Sequence, residues 1–456
     1  MLTRFLPVGL SDFSIKKWLT PTYLLTCCNY LDYSPKTSLK LLFTSLALIG
    51  ITSINSANTA ANEATNNLGK QAATKTTSSS LSNTHYAQTS NTLSKAELRQ
   101  GIQKILTDAP RGFHGSILVT QQNGLNYHLT QGVPELKHDS VLQIQDPSQE
   151  KVKEQAQPIQ HKSLQQHQYI IGSLSKLVTA VLIMQAIDSG KLTLDQPANE
   201  LLGNRVHSDV TISQLLNHTS GITNNALSLN TPAGEQFRYS NLGYQLLGNI
   251  LSYIHQQPLT DVFQTFAIEN QLDIRADFGT LANIQAANPV LAAPFSEQPA
   301  QPTQAVPTQQ TITAEPARYE RVPLNPSHFS EVELASGYLQ ATPEAIAQLN
   351  SLLHQGQLMS EVSYHQLITA HVRRVHRWGK LGYGFGLQIS DTAFGPEYSH
   401  SGYVPGYIST QVYYPQFGVN LVILENTSWS LQDIERVFSI HDQIRHLMHS
   451  QLSSLI

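Results

Sequence analysis

Ser173-Leu174-Ser175-Lys176 heads an apolar run over residues 170–187. The run predicts a helix, in which residues three apart share a face. The amine of Lys176 then lies beside the hydroxyl of Ser173. A serine hydroxyl is a poor nucleophile until a base takes its proton. A lysine can be that base when burial or a nearby cation lowers its pKa. Alone, the tetrapeptide is equally a helix start with Ser173 as N-cap, so partners elsewhere in the chain decide its meaning. The helix is apolar nearly all round over residues 177–187, which fits burial in the core of a large domain. Ser189-Gly190 ends it.

Two clusters supply possible partners. Phe237-Arg238-Tyr239-Ser240-Asn241 leads into a helical pattern over residues 241–254, and Tyr398-Ser399-His400-Ser401-Gly402 precedes a terminal hairpin. A phenol works as acid or base only with a lowered pKa, which a neighbouring Lys176 ammonium would provide. Asn241 can hydrogen-bond Lys176 or a substrate amide. Gly402 lets a strand approach a substrate with no side chain in the way.

Around these clusters the pattern is strands at both ends and helices between. Residues 115–120 (GSILVT) read as a strand, Asn123-Gly124 as a hairpin turn and residues 125–130 as its partner strand. Helical patterning marks residues 211–217, 241–254 and 343–353. Strands at 407–414 and 419–425 flank Pro415-Gln416-Phe417-Gly418, and a helix closes the chain over residues 431–448. This predicts an α+β fold with an antiparallel sheet fed by both termini. A polar loop is expected over residues 138–168. A Pro-, Gln-, Ala- and Thr-rich surface insertion is expected over residues 285–318.

The N-terminal part differs in composition. Lys36 and Lys40 precede fourteen apolar-rich residues, 41–54, followed by Ser56, Ala57, Thr59 and Ala60. That length suits a signal h-region and is short for a membrane span. Residues 1–57 are read as a signal peptide or N-terminal membrane anchor, with an unusually long stretch before the apolar run. Either places the remainder in the periplasm or on the extracellular face. Residues 58–95, rich in Ser, Thr, Asn and Ala, bury too little to offset their ordering entropy and read as a disordered linker. The folded domain is expected over residues 96–456.

Composition excludes several classes. Hydrophobic residues are 40% and charged residues 13%, which suits a globular core, and a net charge of -4 without a basic block argues against nucleic acid. The two cysteines, Cys27 and Cys28, leave no disulfide framework or thiolate zinc site beyond residue 28. His446 and His449 could share a helix face, but without a third ligand no metal is expected there. Arg373, Arg374 and Arg377 read as a solvated basic face, and His218 as a hydrogen-bonded packing residue. No cofactor is implied.

Ser-x-x-Lys, then Tyr-x-Asn about 65 residues on, then His-x-Gly late in the chain on a strand resembles the serine β-lactamase and penicillin-recognising enzyme family. The closer likeness is to its branch of class C β-lactamases, DD-peptidases and esterases. Gly190-Lys191-Leu192-Thr193-Leu194-Asp195, Leu215-Leu216-Asn217-His218-Thr219-Ser220-Gly221 and Gly382-Tyr383-Gly384-Phe385-Gly386 resemble its connectors, in order, from about residue 98 to 446. The resemblance implies a β-lactamase/DD-peptidase-like sheet flanked by helices plus a mainly helical lobe, with the active site between them. Ser173 would be the acylated nucleophile, Lys176 its activator and Tyr239 the general base. Asn241, His400, Ser401 and Gly402 would bind substrate. The N–H groups of Ser173 and Tyr403 would form the oxyanion hole.

One motif departs from the family's β-lactamases, which usually carry Lys-Thr-Gly where this chain has His400-Ser401-Gly402. A histidine is mostly neutral at pH 7, so a β-lactam carboxylate is held less well, and His400→Lys is expected to raise β-lactam acylation. The resemblance therefore implies a serine hydrolase acting on an amide or ester. A D-alanyl-D-alanine carboxypeptidase-like activity on a peptidoglycan stem peptide is the first candidate, and an esterase or weak β-lactamase the second. A catalytically silent binding protein on this fold is the remaining alternative, although such proteins commonly lose Ser173, Lys176 or Tyr239 equivalents.

Overall fold

The two strands expected on either side of Asn123-Gly124 end the main sheet on one side. In the computed structural model, which describes residues 92–122, 124–133, 166–299, 319–324 and 328–456, β1 (Gly115–Gln121) pairs antiparallel with β2 (Asn126–Gln131). Six more strands come from the C-terminal part: β3 (Val372–His376), β4 (Gly379–Tyr383), β5 (Gln388–Thr392), β6 (Gly395–Val404), β7 (Tyr407–Tyr414) and β8 (Val419–Glu425). The eight-stranded order is β3-β4-β5-β6-β7-β8-β1-β2. N-terminal β1 lies beside C-terminal β8, with Ile117 opposite Ile423, so both ends of the chain do feed one antiparallel sheet.

Both faces of this sheet are covered. Ile117 and Val119 of β1, with Leu421 and Ile423 of β8, pack in a cluster with Leu98 and Ile102 of α1 (Lys95–Asp108) and Ile440, Ile444 and Met448 of α7 (Ile434–Ser453). Leu118, Val422 and Leu424 point the other way, into the larger core. That alternation follows from the two-residue period of a strand. Two covered faces explain why β8 reads as a continuous apolar run.

The larger core is built on α2 (Ser175–Asp188), buried on all sides as its sequence implies. Against α2 pack α3 (Asn241–His255) and α6 (Glu361–Ile368), with α4 (Leu259–Glu269) on α3 and α5 (Pro343–His354) on β8 and β1. Thr211 caps the short helix Ile212–Leu216 with a capping box completed by Gln214.

Some expectations shift at their edges. Ser94 caps α1 through its side chain, so order begins inside the end of the expected linker. Residues 285–299 are not surface insertion: Asn288, Leu291 and Ala292 are buried, and Phe295–Pro299 pairs with Tyr319–Pro323. Gln168, expected in a polar loop, is buried and accepts from Asn288 Nδ2 at 2.7 Å. Residues 1–91, which hold the expected signal or anchor and most of the linker, lie outside the described residues, as do 134–165 and 300–318. Among the described residues, no helix is long and apolar enough to cross a membrane.

Candidate active site

The nucleophile segment is a bent strand-to-helix passage. Tyr169–Ile170 is extended, Gly172 takes a left-handed φ of 57°, and Gly172–Leu174 makes one 3-10 turn before α2. Ser173 is therefore in the turn ahead of α2, not an N-cap. Ser175 Oγ donates to the Gly172 carbonyl at 2.9 Å and accepts from Leu339 N at 3.3 Å. These bonds hold Ser173 over the first turn, three residues from Lys176.

Lys176 is fully buried, and its Nζ has three polar partners. They are Ser173 Oγ at 3.1 Å, Asn241 Oδ1 at 2.8 Å and the Ser336 carbonyl oxygen. Asn241 is the first residue of α3, placed by the Ser240 cap, whose Oγ accepts from Gly243 N at 3.0 Å. Burial pushes the Lys176 ammonium well below its ordinary pKa. The Ser336 carbonyl and Asn241 Oδ1 can only accept, so they take two N–H bonds. A neutral amine then has a lone pair left for the Ser173 proton.

Tyr239 completes the group in a way the sequence did not suggest. The Lys176 Nζ lies over its ring, 4.9 Å from the centroid, not at its oxygen. Burial pushes the phenol pKa up, with Ser173 and Arg374 opposing. The lowering expected from Lys176 is thus absent and the phenol stays protonated at neutral pH. Its buried hydroxyl has no hydrogen-bond partner among the described residues. Ser173 is close enough to favour the ionised form. A buried, unpartnered hydroxyl beside a nucleophile is a donor waiting for a ligand.

Gly402 brings β6 against this turn. Pairing of β5 with β6 ends at Gln388–Ser399, so the next residues of β6 are open on that side. A methyl on Gly172 would lie 2.9 Å from Tyr403 N, and one on Gly402 would lie 2.9 Å from Ser173 N. The two backbone nitrogens expected in the oxyanion hole thus flank one glycine–glycine contact. Ser409 Oγ fastens it by donating to the Ile171 carbonyl at 2.7 Å.

The third motif is placed differently from its expected role. His400 is 2% exposed. Its Nε2 meets Tyr383 Oη at 3.0 Å and its Nδ1 meets the Ser401 carbonyl at 2.8 Å. Burial and then the charge of Lys176 hold its pKa down at about 3, so it carries no charge. Ser401 Oγ accepts from Arg377 at 3.1 Å.

Two surface readings are corrected. Arg374 is 6% exposed, 5.0 Å from the Phe237 ring and 5.9 Å from the Tyr239 ring. Arg377 pairs with Asp442 at 2.9 Å; only Arg373 stays in solvent. Strand alternation turns 374 inward while 373 points out, which a cluster of three arginines hides. His449 bonds Glu397 Oε2 at 2.6 Å, so it serves a buried carboxylate. Among the described residues no group of His, Cys, Asp and Glu could hold a metal. Tyr383 was quoted above only as part of a connector; its tie to two histidines is invisible without the register of β4.

Comparison with known proteins agrees with this geometry. The Beta-lactamase family model matches residues 149–436, more than half of the chain. Penicillin-binding protein 4 of Amycolatopsis lactamdurans is 30% identical over 120 residues, which cover 20% of this chain and 31% of the relative. The matched part thus spans about a third of that protein. The D-amino acid amidase of Ochrobactrum anthropi SV3 shares the fold with a TM-score of 0.56 at 16% identity, over 78% of this chain and 99% of the amidase. EstCE1, a hydrolase with promiscuous acyltransferase activity, does so with a TM-score of 0.53 at 19% identity, over 77% and 99% of the two chains. A match of that extent, on an antiparallel sheet flanked by helices, places this chain in the Beta-lactamase family of serine hydrolases.

Proposed function

We propose that the protein cleaves an amide or ester through an acyl-enzyme on Ser173. The observation that carries this reading is the 3.1 Å contact of Ser173 Oγ with a buried Lys176 amine. Lys176 takes the Ser173 proton as the oxygen attacks the acyl carbon. The N–H groups of Ser173 and Tyr403 receive the developing oxyanion, where one donor is typically worth a rate factor of about 100 to 1,000. The proton that Lys176 has taken from Ser173 passes to the leaving group, to which Tyr239, protonated in the free enzyme, donates a hydrogen bond. Water then attacks the acyl carbon by the reverse proton path and frees Ser173. Asn241 holds Lys176 and is free through its amide N–H to meet the substrate.

For the substrate, a D-alanyl peptide is the first reading, supported by the likeness to a penicillin-binding protein and to a D-amino acid amidase. The second is an ester without a carboxylate. It is favoured by His400, which offers no cation and has both nitrogens engaged. Location outside the cytoplasm, by a cleaved signal or an anchor, rests on the apolar run of residues 41–54. Nitrocefin, a short-chain aryl ester and a D-alanyl-D-alanine peptide, each given to the wild type and to Ser173→Ala, test the reading. Turnover of at least one, lost in the variant, is expected. No turnover of any, or turnover that survives Ser173→Ala, would refute it.

A further inference from the structure

Four hydrogen bonds run in sequence behind the active site. Ser240 N lies 3.2 Å from His218 Nδ1, His218 Nε2 lies 3.1 Å from Tyr383 Oη, and Tyr383 Oη lies 3.0 Å from His400 Nε2. His400 Nδ1 then lies 2.8 Å from the Ser401 carbonyl. Both ends are backbone groups of fixed polarity. The Ser240 N–H can only donate, so His218 Nδ1 accepts and its proton sits on Nε2. The Ser401 carbonyl can only accept, so the His400 proton sits on Nδ1 and its Nε2 accepts. Tyr383 therefore accepts from His218 and donates to His400. Three ring groups with one proton each fill every bond in one direction.

We propose that His218, Tyr383 and His400 are positioning residues, a one-direction hydrogen-bond strut that sets the Tyr239-Ser240-Asn241 turn against the His400-Ser401-Gly402 strand, and that His400 is not a substrate ligand. The strut deepens the acyl-enzyme reading and rests on it for its kinetic consequence. It links the segment that holds Tyr239 and Asn241 to the strand that brings the Tyr403 N–H to Ser173. His218 sits at a left-handed φ of 63°, its ring 4.3 Å from that of Tyr239. That conformation is costly for a non-glycine residue, and here it turns the imidazole into the strut. A second proton on His400, at Nε2, would leave Tyr383 without its acceptor, and one on His218, at Nδ1, would face the Ser240 N–H. The surroundings point the same way: His400 faces Lys176 from α2, Arg374 and His376 from β3, Tyr383 from β4 and Tyr239 before α3. Tyr244 of α3 borders Tyr383 and is occupied in donating to the Leu216 carbonyl at 2.7 Å. No carboxylate is among these groups.

The first test is nitrogen-15 NMR of the full chain with labelled histidine, assigned by single substitutions at 218 and 400. Expected is a neutral Nδ1–H tautomer at His400 and a neutral Nε2–H tautomer at His218, both unchanged from pH 5 to pH 8. An Nε2–H tautomer or an imidazolium at His400 in that range overturns the strut, whether or not Ser173 is ever acylated. The second test compares acylation by a carboxylate-bearing β-lactam and by an uncharged aryl ester in Tyr383→Phe and His400→Asn. A strut predicts an equal fall for both reagents, about 10- to 100-fold, because one lost buried partner is worth about 1–3 kcal/mol. A fall confined to the β-lactam, or no fall, overturns it.

Discussion

Gly402→Ala tests the closeness of the nucleophile turn to β6. A methyl there would sit 2.3 Å from Ser409 Oγ, 2.6 Å from the Ile171 carbonyl oxygen and 2.9 Å from Ser173 N, where ordinary contact begins at 3.4 Å. The hydroxyl of Ser409 can rotate away; the two backbone atoms cannot. The strand must therefore retreat by roughly half an ångström or more from Ser173, which moves the Tyr403 N–H off the oxyanion. Loss of one such donor costs a factor of about 100 to 1,000 in rate. Overpacking adds a destabilisation of about 1–3 kcal/mol. The assay is the acylation rate by intact mass, with a urea titration on the same sample to separate rate from folding. Gly337→Ala is the control, since its methyl would meet the Gly172 backbone and Val404 only at 3.6 Å and beyond, and it should acylate at the wild-type rate. Acylation of folded Gly402→Ala within threefold of wild type would refute the placement of the oxyanion hole.

Further outcomes follow from the same geometry. Lys176→Arg keeps a cation that does not deprotonate in proteins, so acylation should fall by at least about 1,000-fold in stopped-flow or mass assays; a near-normal rate would exclude Lys176 as the base. His400→Lys would set an ammonium beside Lys176 and Arg374 and remove the acceptor of Tyr383, so β-lactam acylation should fall. This reverses the rise that the motif comparison suggests. Burial pushes the Glu425 carboxyl up, but Arg111, bidentate at 2.7 and 2.8 Å, and His441 together hold it down at about 2. A depressed carboxylate contributes stability that is present above the unfolded value near 4.5 and lost as pH falls towards about 2. Arg111→Leu, which strands that buried charge, should cost about 3–5 kcal/mol in denaturant unfolding at pH 7, and a loss under 1 kcal/mol would contradict the pairing.

Much of this was legible in the residues, for identifiable reasons. Strands β7 and β8 stand out because both of their faces are covered and a four-residue turn separates them. Ser173 and Lys176 are local, three residues apart, so helical geometry alone brings them together. Of strands β3 to β6, only the end of β6 at His400–Gly402 was legible. Arg373-Arg374 and Lys380 break their apolar pattern, and it is the β4 register, Gly382 opposite Ile389, that carries Tyr383 inward. The state of each titrating group was equally hidden. Whether Tyr239 is lowered by Lys176 depends on whether the amine meets the ring or the oxygen, and His400 reads as a ligand until both of its nitrogens are seen to be engaged. Burial and direction of approach are set by residues far away in the chain.

The central claim is a covalent intermediate on Ser173. Intact mass measurement after exposure to a labelled penicillin, an aryl ester and a fluorophosphonate tests it most directly. The account predicts one adduct per chain with at least one reagent, mapped to the peptide holding Ser173 and absent in Ser173→Ala. No adduct with any of the three, or an adduct that persists in Ser173→Ala, would contradict it.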